Sequence, residues 1–251
     1  RDIGVTGVQT CALPICAGCL PVFRWPILDV TLKGFFKTLG PAIVGSGGLQ
    51  IAMFADTILA SMLPTGSVSA IYYADRIYQL PIGIIGITAG TVLLPVMSRH
   101  ISSGNLTEAE RIQNKIIGIT FSLTAPFFIA FLLIPDLILD GVFLRGAFTK
   151  EASSASASVL SAYAVGIVPI MLLRPVSAGF LARQDTLIPL IASLSGILLN
   201  VVLKFCFYQK FGAVGLAFST AMGAWCNFGI LAALAVPRLY LKISRSLIAT
   251  C

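Results

Sequence analysis

The sequence predicts an all-α fold: a polytopic transmembrane bundle of six helices. Three observations carry that expectation. Of 251 residues, 57% are hydrophobic and 11% charged, far below the ~25% charge of an ordinary globular domain. Mean hydropathy is +0.95. From Thr38 onward, apolar residues gather into runs of about 20 or more, the length that crosses a bilayer, separated by short polar breaks.

The expected spans are Thr38–Leu63, Val68–Val96, Ile116–Pro135, Ser156–Leu181, Thr186–Phe207 and Gly212–Val236. The breaks between them include PTGS at Pro64–Ser67, ARQD at Ala182–Asp185 and YQKF at Tyr208–Phe211. Pro81, Pro126, Pro169, Pro175 and Pro189 lie within the spans, where a packed membrane bundle tolerates them, often as kinks. Leu106–Lys115 reads as a short surface helix leading into the third span, and Asp136–Phe148 as an interfacial turn.

The expected organisation divides at 16–37, a cytoplasmic lead-in, 38–236, the six-helix lobe, and 237–251, a truncated cytoplasmic end. Residues 1–15, RDIGVTGVQTCALPI, lack the continuous apolar core of a signal peptide. They resemble the in-frame translation of a short-read sequencing adaptor and are expected to be non-native.

The formal net charge of +7 is scattered through the breaks and forms no stripe of the kind that binds nucleic acid. It serves to orient the bundle. With the first span starting inside, Arg24, Lys33, Lys37, Arg99, Arg111, Lys115, Arg183, Arg238, Lys242 and Arg245 are inside, against Arg145, Lys150 and Lys210 outside, with Lys204 near an outer end. Basic loops stay cytoplasmic, so both ends of the chain are expected there.

Catalysis is not expected. His100 is the sole histidine, which leaves no Ser/His/Asp set. There is no Gly-Lys-Ser/Thr phosphate loop, and Cys16-x-x-Cys19 has no second cysteine pair at zinc spacing. No cofactor or metal is implied.

Ionisable residues inside spans do carry a signal, because they are costly there and face a cavity or a partner. Asp56, Asp75, Arg76 and Arg174 are the instances. Tyr72, Arg76, Gln79, Gly83, Gly86 and Gly90 recur at spacings that place them on one face of a regular helix. The upper part of that face is polar. Its lower part, Gly86-x-x-x-Gly90, would let another backbone approach. The expectation for Arg76 is a cavity position that meets an anionic ligand; the alternatives are snorkelling, or pairing with Asp75 or Asp56. Arg174 has two readings, phosphate binding through its planar fork and snorkelling to the headgroups. Gln50, Asn200 and Asn227 read as interhelical hydrogen-bond partners.

Several motifs resemble the MurJ (MviN) family of lipid II flippases: Gly40-Pro41-Ala42-Ile43, SAIYYADRIYQ at Ser69–Gln79, Leu80-Pro81-x-Gly83-x-x-Gly86, Gly90-Thr91-x-Leu93-Leu94-Pro95, Ser98, Ala162-Tyr163, Gly166, Gly179-Phe180, and Ala182-Arg183-Gln184-Asp185-Thr186 before Pro189. The resemblance implies one lobe of a two-lobe transporter in the bacterial cytoplasmic membrane, spans seven to twelve. It implies translocation of lipid-linked peptidoglycan precursor by alternating access, with membrane lipids and a preceding six-helix lobe as partners. It also implies a cavity lined by Arg76 and, with less motif support, Arg174, with Tyr72, Asp75 and Gln79 beside them. Two alternatives stand: a related multidrug or polysaccharide-lipid exporter, and a non-transporting membrane scaffold.

Overall fold

A computed structural model describes residues 56–146 and 148–235, together with Gly47, Gln50, Met53 and Phe54. The expected lead-in, most of the first span, the adaptor-like stretch and the residues after 235 lie outside the described residues. All regular structure among the described residues is helical.

Residues 56–61 are helical and stop before Pro64. Gly66, at φ 96°, turns the chain into α1 (Ser67–Pro81). A π-helical segment (Ile82–Gly86) joins α1 to α2 (Ile87–Ser102), so that Ser67–Ser102 forms one apolar helix of 36 residues. Pro81 sits at the junction. It has no N–H to give the Ile77 carbonyl, and the widened turn follows it directly.

Gly104 (φ 77°) reverses the chain, and the Asn105 side chain caps α3 (Leu106–Leu133) by accepting from the Glu108 N–H at 3.3 Å. The expected surface helix at Leu106–Lys115 is therefore not separate. It is the first part of α3, because no glycine or proline lies between Leu106 and Lys115 or at the join to Ile116, and the buried face of the helix already begins at Ala109 and Gln113. The short α4 (Pro135–Phe143) replaces the expected interfacial turn, with Pro135 opening its first turn. Ser153 ties it to the next helix by donating to Asp140 Oδ1 at 2.6 Å.

Thr149 caps α5 (Lys150–Leu181). In α5 67% of the apolar window is buried, against 17–24% in the other three long helices. A helix that is apolar all round belongs inside, and α5 is the axis on which α1, α2, α3, α4 and α6 pack. Leu160, Ala164, Ile167 and Met171 are fully enclosed there, and Tyr163 stacks on Tyr78 of α1 at 4.9 Å.

The last element, α6 (Leu187–Ala235), is two helices. Gly212 (φ 55°, ψ −133°) breaks it. Residues 187–211 and 213–235 double back on each other: a Cβ on Gly196 would meet the Gly223 carbonyl at 2.7 Å, and one on Gly223 would meet Asn200 Cβ at 2.7 Å. Four helices among the described residues are long and apolar enough to cross a membrane, and the fourth of them turns at Gly212. The count of six spans depends on Thr38–Leu63, which lies mostly outside the described residues.

Candidate functional site

The polar part of α1 is on its uncovered face. Ala70, Ala74, Ile77, Tyr78 and Pro81 turn toward α5. Tyr72, Arg76 and Gln79 point the other way and are exposed, with Asp75 at the edge. Four of the five expected site residues are thus one cluster. Arg76 Nη2 donates to the Tyr72 hydroxyl at 2.8 Å, and its guanidinium carbon lies 4.5 Å from the Tyr72 ring centroid. Asp75 is engaged by the side-chain amide of Gln79. Arg76 forms no ion pair among the described residues. Its charge is steadied by an aromatic face, no carboxylate lies in ion-pair contact with it, and most of its five donors remain available for an anion.

Asp56, the other possible partner for Arg76, is paired elsewhere. It makes an ion pair with Lys204, whose side chain is fully buried. Asp56 and Lys204 each lie eight residues from their turns at Pro64 and Gly212, and Arg76 lies nine from Ser67. At ~1.5 Å rise per residue, all three sit about 12–14 Å from the same end of the bundle. Lys204 was not singled out from sequence because it was read as flanking an outer end. The signal was present: an ammonium eight residues inside an apolar run needs a partner.

The sequence pattern placed Tyr72, Arg76, Gln79, Gly83, Gly86 and Gly90 on one face. The structure splits that face. Gly83 is exposed with Arg76, but Gly86 is buried against α5. The π segment holds one more residue per turn than an α-helix, so everything after it is rotated relative to α1. The approach at the glycines also differs from expectation. It is made by the stem of Arg174, and no backbone comes close. A Cβ on Gly90 would sit 3.6 Å from Arg174 Cβ, and one on Gly86 would sit 3.4 Å from Met171 Sδ and 3.9 Å from Arg174 Cγ. Close backbone approaches between helices occur instead at Gly166 against Ala221, where a Cβ would come within 2.8 Å of Cα, and at the Gly196–Gly223 crossing.

Arg174 is exposed, and its guanidinium has no hydrogen bond or ion pair among the described residues. It lies beside Gly86 and Gly90, ten to fourteen residues beyond Arg76, or about 15–20 Å along the helix. The two arginines therefore sit at different depths beside the same long helix. Asn200 and Asn227 face the crossing of the two halves of α6, yet the carbonyl oxygen of each is buried without a partner. The role expected of them as interhelical hydrogen-bond partners is not met by either carbonyl oxygen among the described residues.

The model of the family described as "Lipid II flippase MurJ" matches residues 10–251. The chain belongs to that family. The match begins inside the stretch 1–15 that resembles an adaptor. Among the relatives of the MurJ family, a probable lipid II flippase MurJ of Rhizobium meliloti (strain 1021) is 36% identical over 222 residues, covering 88% of this chain and 41% of that protein. One from Vibrio cholerae is 33% identical, covering 86% and 41%. A solved MurJ structure, in an inward closed conformation, matches with a TM-score of 0.71 at 25% identity, covering 90% of this chain and 49% of that one. A MATE transporter of Vibrio cholerae matches as well in shape, with a TM-score of 0.72, but at 18% identity, so it speaks to fold alone. The chain spans about two fifths of the length of the MurJ relatives that it matches.

Proposed function

We propose that this segment is one half of a lipid II flippase, carrying lipid-linked peptidoglycan precursor across the bacterial cytoplasmic membrane. In this reading residues 38–236 are the lobe, its two ends are cytoplasmic, and a second lobe closes the cavity over α1 and α2. The observation that carries the reading is Arg76 on an uncovered helix face with no ion-pair partner among the described residues, while the side-chain amide of Gln79 bonds Asp75 and Asp56 pairs with Lys204. A diphosphate is the anion such a fork suits, through charge-assisted and often bidentate hydrogen bonds. Arg174, on α5 and deeper in the bundle beside α2, supplies a second cation to which the diphosphate passes as the lobes rock about the middle of the membrane. The long lipid tail stays in the bilayer beside the groove. A drug exporter of the same fold has no need of two free guanidinium groups facing the cavity.

The test is a flipping assay on an intact flippase that contains this segment, reconstituted in vesicles. Arg76→Ala is expected to reduce translocation at least about tenfold, the factor equivalent to losing ~1.5 kcal/mol of charge-assisted hydrogen bonding, with expression and thermal unfolding unchanged. Translocation at the wild-type rate by that variant overturns the cavity role of Arg76.

A further inference from the structure

A second cationic feature lies at the opposite end of α2 from Arg76. The last turn of α2 and the turn between α5 and α6 enclose a groove of about 640 Å³, lined by Ser98, Arg99, Ser102, Leu181, Arg183 and Gln184 among others. Its two arginines come from elements more than 80 positions apart in sequence, so the fold and not local spacing brings them together. Their roles differ. Arg183 is committed in part: its Nη1 donates to the Gly179 carbonyl at 2.9 Å and so closes the C-terminus of α5. Arg99 is exposed, and its guanidinium makes no hydrogen bond or ion pair among the described residues.

The neighbouring polar groups are already engaged. Ser98 donates to the Leu94 carbonyl at 2.9 Å, Ser102 to the Arg99 carbonyl at 2.9 Å, and Asp185 accepts the Ile188 N–H at 3.4 Å to start α6. Gln184 holds a left-handed backbone conformation, φ 61°, which a residue other than glycine rarely adopts. This tight turn keeps the wall formed by Leu181–Gln184 against the end of α2. The groove therefore has a fixed shape, an apolar flank at Leu181 and a guanidinium without a counter-ion. It sits where the apolar part of two long helices ends, at headgroup depth.

We propose that this groove binds the phosphate of an anionic membrane lipid, with Arg99 as the principal contact and Arg183 as the second. Basic pockets between transmembrane helices are suited to such headgroups. The site is separate from Arg76 and Arg174: Arg99 is nine residues beyond Gly90, about 14 Å along the helix. It does not depend on the flippase reading.

The experiment places the full-length protein that carries this segment in nanodiscs of phosphatidylcholine with 10% (roughly; any minor fraction of this order serves) phosphatidylglycerol, and counts lipids retained on mild delipidation by native mass spectrometry. Wild-type protein is expected to retain phosphatidylglycerol over phosphatidylcholine. Arg99→Gln, which removes no hydrogen bond or ion pair among the described residues, should reduce that retention severalfold, and Arg99→Gln with Arg183→Gln should abolish it. Arg76→Ala should leave it unchanged, which separates this site from the translocation cavity. Competition by millimolar inorganic phosphate would assign the same phosphate chemistry to a free anion, and no competition assigns it to the lipid. Equal phosphatidylglycerol retention by wild type and Arg99→Gln, with no phosphate binding by either, overturns the proposal.

Discussion

At the scale of single residues, the fate of each intramembrane charge decides what the lobe can do. Asp56 and Lys204 cancel each other, Asp75 is held by Gln79, and Arg76 is left charged. The buried pair is asymmetric, since Lys204 is fully enclosed while the Asp56 side chain is 47% exposed. Asp56→Ala strands an enclosed ammonium and should destabilise the bundle by about 3–5 kcal/mol, the cost of breaking a buried pair from one side. Lys204→Met leaves a carboxylate that can still reach polar surroundings and should cost distinctly less. Thermal unfolding of the two variants in the same detergent checks the order, and equal losses would count against it. Tyr72→Phe retains the aromatic face under Arg76 and removes only the hydroxyl, so flipping should fall a few-fold, well short of the loss in Arg76→Ala. Arg76 and its neighbours were legible in the sequence because YYADR breaks an apolar run. The partner choice was not, because pairing Asp56 with Lys204 joins positions that only the folded bundle brings together.

At the scale of elements, the segment Ile82–Gly86 sets which residues face outward. Periodicity read along a regular helix put the glycines under Arg76, and the π turn moved Gly86 and Gly90 onto the α5 side. No pattern of apolar spacing announces a π turn, although Pro81 marks where one is tolerated. The glycines consequently differ in how strictly they are needed. A methyl group at Gly86 or Gly90 meets only ordinary contact distances, whereas one at Gly166 meets the Ala221 backbone at 2.8 Å. Gly166→Ala should therefore destabilise by about 1–3 kcal/mol, as overpacking does, and Gly86→Ala should change the unfolding temperature little. Gly179 falls between them. Its space is filled by the Gln113 amide, which donates to the Pro175 carbonyl at 3.2 Å, so a methyl there displaces a movable side chain and costs about one hydrogen bond, ~1 kcal/mol.

At the scale of the molecule, one uncovered stripe runs the length of α1 and α2. Tyr72, Arg76, Gly83, Thr88, Thr91, Ser98 and Ser102 are all exposed along it. Its hydroxyls, glycine and guanidinium make it more polar than the outer side of α3, where Leu123, Ile129 and Leu133 are exposed. In an intact flippase whose own cysteines have been replaced, Thr88→Cys and Ser98→Cys should react with a water-soluble thiol reagent, while Ile129→Cys should not. Labelling of Ile129→Cys with protection of Thr88→Cys would place the lipid on the wrong side. The apolar runs located α1 with α2, α5 and the two halves of α6 to within about six residues at each end, but they began the third span at Ile116 where α3 starts at Leu106, and they held no run for α4. The turns at Pro64, Gly104 and Gly212 fell where glycine and proline interrupt those runs. The central place of α5 was not legible, since its apolar run resembles the others in length and hydropathy and differs only in what surrounds it.

The enclosure of α5 also bears on the order in which the lobe can be made. The faces of α1 and α3 that are buried in the finished lobe, and part of that of α2, lie mostly against a helix translated after all of them, although Leu93 and Met97 of α2 also pack with Ala109 of α3. Until Leu181 has left the ribosome, the Gln113 amide has no Pro175 carbonyl to meet, and Tyr78 has no Tyr163 ring to lie on. Inserted earlier, these side chains would face hydrocarbon. Most tertiary assembly of the first helices is therefore deferred until α5 enters the bilayer, and a chain interrupted before Lys150 would hold little more in the membrane than the α2–α3 pair.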